Sequence, residues 1–408
     1  MMPDEKRARS LLHKRLLPLY VSAFFHNFVL WYTIEKLFMQ NIGFSNTGIG
    51  LMIALYSAIM LVVEVPSGIL ADRWSRKGML VVASICLALS ALFGGLSHGI
   101  GLYLIAAVLW GTFYACYSGL YDTIVYDCIA EATAPSKLFD RLYGRVQLID
   151  SVALILAGLL GAAVASATNL RTVYFLSVPL ALVPIVALLR FREPTLHKQH
   201  AIIPIRQQVR STVQAIVSNR SLGPVIAVLV LRSTLFYCIA EFAQLWLLAL
   251  HTPTAYYGLA SAVLFASLGV GGALVSRLRL SRYARMAGTL AVILLAGLGL
   301  IFLRSTPGIV LAQAVFASGL VCVYIIFSRI LHDNLGSSIR AGAASASSTA
   351  GRLLIIPMAL LIGYVSQKFT IYKAAYIFLG LAILMTVFVI HVARRDGRTG
   401  LELTNSKN

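Results

Sequence analysis

Charge is what this sequence has least of. Only 12% of its 408 residues are charged, against about 25% in soluble globular chains, which excludes an ordinary water-soluble domain. Acids are the scarcer sign, 15 Asp and Glu against 34 Lys and Arg. The five cysteines, Cys86, Cys116, Cys128, Cys238 and Cys322, all fall inside apolar runs. They read as small packing residues, not as a disulfide or zinc framework. The eight histidines show no metal-ligand spacing, so no metal is expected. No Gly-x-x-x-x-Gly-Lys-Ser/Thr phosphate loop occurs, and no soluble segment is large enough to hydrolyse a nucleotide. Without a nucleophile elbow either, neither an enzyme nor a bound cofactor is expected.

What is present is apolar length. Hydrophobic residues make up 59% of the chain and the mean hydropathy is +0.83. A crossing needs about 20 residues, and twelve helices are predicted, near 17–40, 44–71, 78–97, 100–130, 137–166, 170–190, 222–250, 254–276, 284–303, 307–332, 340–366 and 371–393. The fold class expected is an all-α membrane protein. A net charge of +19 taken alone suggests nucleic acid, but the bases lie in alternate short connectors, as membrane insertion requires. One side holds Lys6 to Arg15, Arg73, Arg76, Lys77, Lys137, Arg141 and Arg190 to Arg220. It also holds Arg277 to Arg285, Arg340 and the bases after Arg394, while the other holds only Arg171, Arg304, Lys368 and Lys373. Both termini are therefore expected to be cytoplasmic in a multi-pass plasma-membrane protein, with lipids and no nucleic acid as partners. No cleavable signal is expected, since the first apolar segment after Lys6 to Arg15 is long enough to stay as a helix.

The longest connector falls at the midpoint, which predicts domains at 1–191 and 222–408 joined by residues 192–221. Ile205, Val209, Val213 and Ile216 follow helical spacing beside Arg206 and Arg210. A short helix on the inner membrane surface fits them, and a basic linker without a helix fits equally.

Between the second and third apolar segments lies Glu64-Val65-Pro66-Ser67-Gly68-Ile69-Leu70-Ala71-Asp72-Arg73-Trp74-Ser75-Arg76-Lys77. Gly68 lacks a side chain, so another helix is expected to pack closely there. Asp72 needs a cation or the positive end of a helix nearby. Gly-x-Leu-Ala-Asp-Arg-x-x-Arg-Lys between two membrane helices resembles the signature loop of the major facilitator superfamily. The resemblance implies secondary transport of a small molecule by a fold of two six-helix bundles. Shifting the sequence by 206 residues places Glu35 on Glu241, Arg73-Trp74-Ser75-Arg76 on Arg279-Leu280-Ser281-Arg282, and Asp127 on Asp333. One residue more aligns Gly144-Arg145 with Gly351-Arg352. Two homologous, pseudo-symmetric halves follow, with the second signature degenerate because Leu278 replaces Asp72.

A charge at the bilayer centre costs about 2.5–3.5 kcal/mol on insertion scales, so each one points to a partner or a wet cavity. Asp127, Arg141 and Arg145 lie near the Asp72 loop. Tyr121-Asp122…Tyr126-Asp127 with Phe139-Asp140-Arg141-Leu142-Tyr143-Gly144-Arg145 resembles a pattern in bacterial members of the superfamily. The resemblance implies that Asp72, Arg73 and Asp127 latch the two bundles in one state. Glu64 and Arg352 are expected to pair across the bundle interface. The small-residue run from Ala341 to Gly351 predicts close packing of a moving helix.

A third group is expected to face a cavity. Tyr20, Phe24, Asn27, Trp31 and Glu35 share a face of one predicted helix; Trp110, Tyr114, Tyr117 and Tyr121, with Asp122, share a face of another. Tyr237, Glu241 and Gln244 form a third strip, and Gln147 with Asp150 a polar patch. A carboxylate partly removed from water can take up and release a proton as a site changes sides, so Glu35, Asp122, Asp150 and Glu241 are candidate proton or substrate sites. The expected function is proton-coupled export of small amphipathic or cationic compounds by a monomer. Against a typical drug exporter, Leu156-Ala157-Gly158-Leu159-Leu160-Gly161-Ala162-Ala163 lacks that group's proline. The predicted fourth helix also lacks a buried arginine near its start. The rivals are uptake of an anionic metabolite paired with Arg145, Arg232 or Arg352, and a non-transporting receptor on the same fold.

Overall fold

A computed structural model describes residues 3–132, 138–194, 222–277, 282–333 and 337–405. These residues are helical almost throughout and contain no strand. The elements are α1 (Pro3–Asn27), a 3-10 turn (Leu30–Ile34), α2 (Glu35–Asn41), α3 (Asn46–Arg73), α4 (Arg76–Leu96), α5 (Ile100–Tyr117), α6 (Leu120–Glu131), α7 (Leu138–Ala167) and α8 (Leu170–Arg190). They continue with α9 (Leu222–Ala249), α10 (Ala255–Arg277), α11 (Arg282–Phe302), α12 (Thr306–Asp333), α13 (Ser337–Lys368) and α14 (Ile371–Asn405). Among the described residues, 10 helical segments are long and apolar enough to cross a bilayer, α5 with α6 counting as one. The shorter apolar helix Met286–Phe302 and the interrupted segment from α1 to α2 complete the twelve predicted crossings. Large apolar side chains such as Val62, Leu189 and Leu295 are exposed, an outer surface suited to hydrocarbon and not to water. All five cysteines are buried.

The chain forms two compact units. Unit 1 comprises Met1–Ala201 with Thr252–Phe265; unit 2 comprises Ile202–His251 with Ala266–Asn408. In unit 1, α4 packs on α5 and α8, and α1 packs on α7 and α8. In unit 2, α11 packs on α12 and α14, and α9 packs on α13 and α14. These four pairings recur between helices about 206 residues apart, so the sequence repeat is in part a repeat of helix pairing. The first turns of α10, grouped with unit 1, meet α7 where Gly158 and Gly258 leave room for backbone against backbone.

Two predicted helices are not continuous. The first stops at Asn27, is extended at Val29, and resumes as a 3-10 turn and then α2. Tyr20, Phe24, Asn27, Trp31 and Glu35 therefore do not share one helical face, which corrects the spacing argument. Broken backbone survives at membrane depth only where protein surrounds it. Here the Leu30 carbonyl lies against Gly161 so closely that any Cβ there would collide with it. The predicted fourth helix breaks at Ser118 and Gly119, the latter left-handed at φ 72°. The Ala115 carbonyl near that break accepts from Ser67 Oγ at 3.1 Å. Gly119 allows the turn because it has no Cβ to clash.

The connector from 195 to 221, the second signature at Leu278 to Ser281, and Lys137 lie outside the described residues. The side chains of Arg282, Asp333, Arg340 and the run Ala341 to Ala346 are likewise outside what is described.

Candidate functional site

At the signature loop, Ser75 caps α4 by accepting from Gly78 N, and its hydroxyl donates to Glu193 Oε2 at 2.6 Å. Glu193 Oε1 also accepts from Lys77 N at 3.1 Å. A carboxylate thus sits at the positive end of α4. Glu193 escaped the sequence reading, although an acid directly after Arg190 and Arg192 was a visible signal. Arg76, not Arg73, joins the acids: it pairs with Asp72 at 3.1 Å and with Asp127 at 2.5 Å, while Arg73 is exposed. Asp72 lies in the last turn of α3 and Arg76 opens α4, so the tight turn at Trp74 and Ser75 brings their side chains together. Gly68 is exposed, and among the described residues nothing lies within 4 Å of where its Cβ would be. The close helix contact expected there is found instead at Gly111, against the Tyr56 carbonyl, and at Gly161.

Arg76→Ala is expected to destabilise the protein by about 1.5–3 kcal/mol, the range for hydrogen bonds between charged groups. Arg73→Ala should change stability by less than about 0.5 kcal/mol, as exposed substitutions do. Thermal unfolding of both variants in the same detergent decides the point; equal losses would reject the assignment.

Deeper in unit 1, a polar cluster spans α1, α5, α6 and α7. Asn27 Nδ2 donates to Asp150 Oδ1 at 2.9 Å, to Tyr117 Oη at 2.7 Å and to its own Ala23 carbonyl at 3.2 Å. The Tyr117 hydroxyl lies beside the same carboxylate. Asp150, Tyr117, Tyr121, Asp122, Tyr143 and Gln147 line a cavity of about 190 Å³. Asp122 is half-buried and accepts from Thr123 N at 2.9 Å. Tyr114 stands against both Trp110 and Tyr117, so the aromatic strip persists across the break although Trp110 and Tyr121 are buried.

Next to it lies a network that sequence reasoning missed. His26, 1% exposed, bonds Tyr121 Oη through Nδ1 at 2.8 Å and Ser84 Oγ through Nε2 at 2.7 Å. Ser84 spends its proton on the Leu80 carbonyl, so Nε2 must donate to Ser84 and Nδ1 must accept from Tyr121. Tyr121 then accepts from Ser22 Oγ at 2.9 Å. One tautomer satisfies every group, the requirement for a buried polar set. The available signal was a histidine inside an apolar helix.

Glu35 and Trp31 belong to a different environment. Glu35, 3% exposed, pairs with Lys36, 1% exposed, at 2.5 Å, and Glu35 accepts from Tyr103 Oη at 3.2 Å. Trp31 stacks on Tyr174 at 5.1 Å and meets Trp110 edge-on at 4.7 Å. This is packed aromatic interior, not a cavity wall. Arg145 is half-buried beside the Tyr20 hydroxyl. Glu64 of unit 1 accepts from Ser118 Oγ at 3.4 Å, and Arg352 belongs to unit 2.

Unit 2 holds a larger cavity, about 260 Å³, among α9, α12 and α13. Arg232, Tyr237 and Tyr324 line it with four serines. Glu241 is half-buried one turn along α9 from Tyr237 and is not part of that lining. Gln244 is buried.

Two units that share four helix pairings, with apolar outer surfaces and polar cavities within their spans, define a polytopic helical membrane protein. Residues 16–354 match the Major Facilitator Superfamily, and the chain belongs to that family. Comparison with curated protein sequences finds no match. Among solved structures, the nucleoside transporter NupG is similar over 92% of this chain and 98% of its own, at 17% identity and a TM-score of 0.75. A bacterial homolog of the human lysosomal transporter Spinster, inward-facing and occupied, is similar over 95% of this chain and 97% of its own, at 13% identity and a TM-score of 0.72. The same homolog, inward-facing and unoccupied, gives 15% identity and a TM-score of 0.67, over 95% of this chain and 96% of its own.

Proposed function

We propose that this chain is a secondary active transporter working by alternating access, in which protons drive the export of small amphipathic compounds. The observation that carries this reading is Asp150, an acid within a membrane helix that is held by Asn27 and lines a cavity. A carboxylate at that depth is costly unless it has partners or water, and Asp150 has a neutral partner that leaves its charge free to change. Glu35 is the weaker proton site, because Lys36 and Tyr103 already hold it. The cluster of Asp72, Arg76 and Asp127 serves as the latch between conformations. The distribution of bases supports a plasma-membrane orientation with both termini cytoplasmic, and a monomer suffices for the mechanism.

Flux of a panel of amphipathic compounds in proteoliposomes, with and without an imposed pH gradient, tests the proposal. Gradient-dependent flux is expected. Equal rates in both conditions would reject proton coupling, and no flux for any compound would favour the receptor alternative. A second reading, proton-coupled uptake of a small anionic metabolite, is favoured by Arg232 in the unit 2 cavity.

A further inference from the structure

We infer that the cavity of unit 2 binds the anionic group of an amphipathic organic anion, with Arg232 as its counter-charge. The inference rests on the carrier reading and holds for either direction of flux.

The Arg232 guanidinium is half-buried within α9. Its Nε donates to the Leu320 carbonyl at 3.0 Å, which orients the group. The ring of Phe236 lies 4.9 Å away and that of Tyr324 4.7 Å away, so two aromatic faces hold the cation from α9 and α12. No carboxylate among the described residues pairs with it, in contrast to Arg76 and Lys36. An arginine fixed only by neutral groups has no internal counter-charge and offers a planar fork of donors matched to carboxylate or phosphate.

The surrounding chemistry selects the same ligand. Ser328, Ser347 and Ser348 bring hydroxyls to the cavity, while Ser233 Oγ donates to the Val230 carbonyl at 2.9 Å, and no acid is among the described lining residues. A cationic ligand would find only repulsion there. Leu229, Phe236 and Leu331 form the apolar part of the wall, suited to a hydrocarbon or aromatic body. A volume of about 260 Å³ is just below the usual range for drug-sized ligands and fits a single-ring compound. Gly351 keeps α13 close at this point, since a Cβ there would strike Ser233 Oγ.

The full-length protein in detergent is titrated with a charge series on one body: 4-nitrobenzoate, 4-nitrophenyl phosphate, neutral methyl 4-nitrobenzoate and cationic 4-nitrobenzylamine. The two anions are expected to raise the unfolding temperature in a saturable way, and the other two are not. Arg232→Gln should weaken anion binding about tenfold or more, as loss of a charged hydrogen bond does; Arg232→Lys should retain part of it. If Arg232→Gln does not fold, Ser328→Ala, expected to weaken binding several-fold, keeps the test. Equal responses to all four probes, or an undiminished anion response in both variants, would overturn the inference. Anionic lipid is the other source of such a group. Titrations in nanodiscs of phosphatidylcholine with and without phosphatidylglycerol separate the two: loss of the soluble anions' effect in phosphatidylglycerol would assign the site to headgroups and overturn the cargo claim. If the anions fail to bind while pH-driven flux of another compound persists, this inference fails and the carrier reading stands.

Discussion

Asp150→Asn is expected to abolish pH-driven accumulation while leaving exchange of substrate across the membrane intact. The amide is nearly isosteric, and its oxygen can still accept from Asn27 Nδ2, which now bonds Asp150 Oδ1 at 2.9 Å. The fold and the cavity should therefore survive, and only the capacity to carry a proton is lost. The magnitude follows from the gradient: one pH unit is worth about 1.4 kcal/mol per proton, so one-to-one coupling sustains about a tenfold concentration ratio. The variant should bring that ratio to about one. Counterflow, in which unlabelled substrate inside draws labelled substrate in without net proton movement, should continue near its original rate. Gradient-driven accumulation by Asp150→Asn at the original level would remove Asp150 from the coupling path.

Lys36→Met is expected to cause the largest loss of stability, about 3–5 kcal/mol, because it strips the ion-pair partner from a carboxylate that is only 3% exposed. Glu35→Gln combined with Lys36→Met should recover most of that loss. Removing both charges also removes the penalty of keeping them from water, and the amide can still accept from Tyr103. Unfolding temperatures of the two single variants and the double variant close the cycle. A double variant as unstable as the sum of its singles would mean that the two charges act independently. The same proteins report on coupling: with its structural partners replaced, Glu35→Gln should leave the pH response in place, in contrast to Asp150→Asn.

The architecture was legible because membrane insertion writes it into composition. Apolar runs of crossing length, bases in alternate connectors and the recurrence of Glu35 at Glu241 each report one physical requirement of the bilayer. What escaped was the set of features decided by tertiary contact. Nothing between Asn27 and Leu30 announces a break, since Phe28 and Val29 continue the apolar run; the break is made possible by Gly161 in another helix. Reading Trp31 and Glu35 onto the face of Asn27 failed for that reason. Reading Arg73 in place of Arg76 failed at the turn between α3 and α4, which places Arg76 at the start of α4 against both Asp72 and Asp127. His26 was visible as a titratable group in a membrane helix, but its partners Tyr121 and Ser84 come from two other helices. Residue spacing within a single helix could not have joined them.

The sulfur atoms of this chain open a practical route. Every native thiol is enclosed, Cys86 being the most accessible at 9%. A water-soluble maleimide therefore has little to attack on the wild-type chain. A reporter cysteine placed at exposed Tyr126 or Trp74 would carry a dye or spin label on an unaltered background. With a second reporter cysteine at exposed Tyr364 of unit 2, distances between the two units could be followed through a transport cycle without first building a cysteine-free protein.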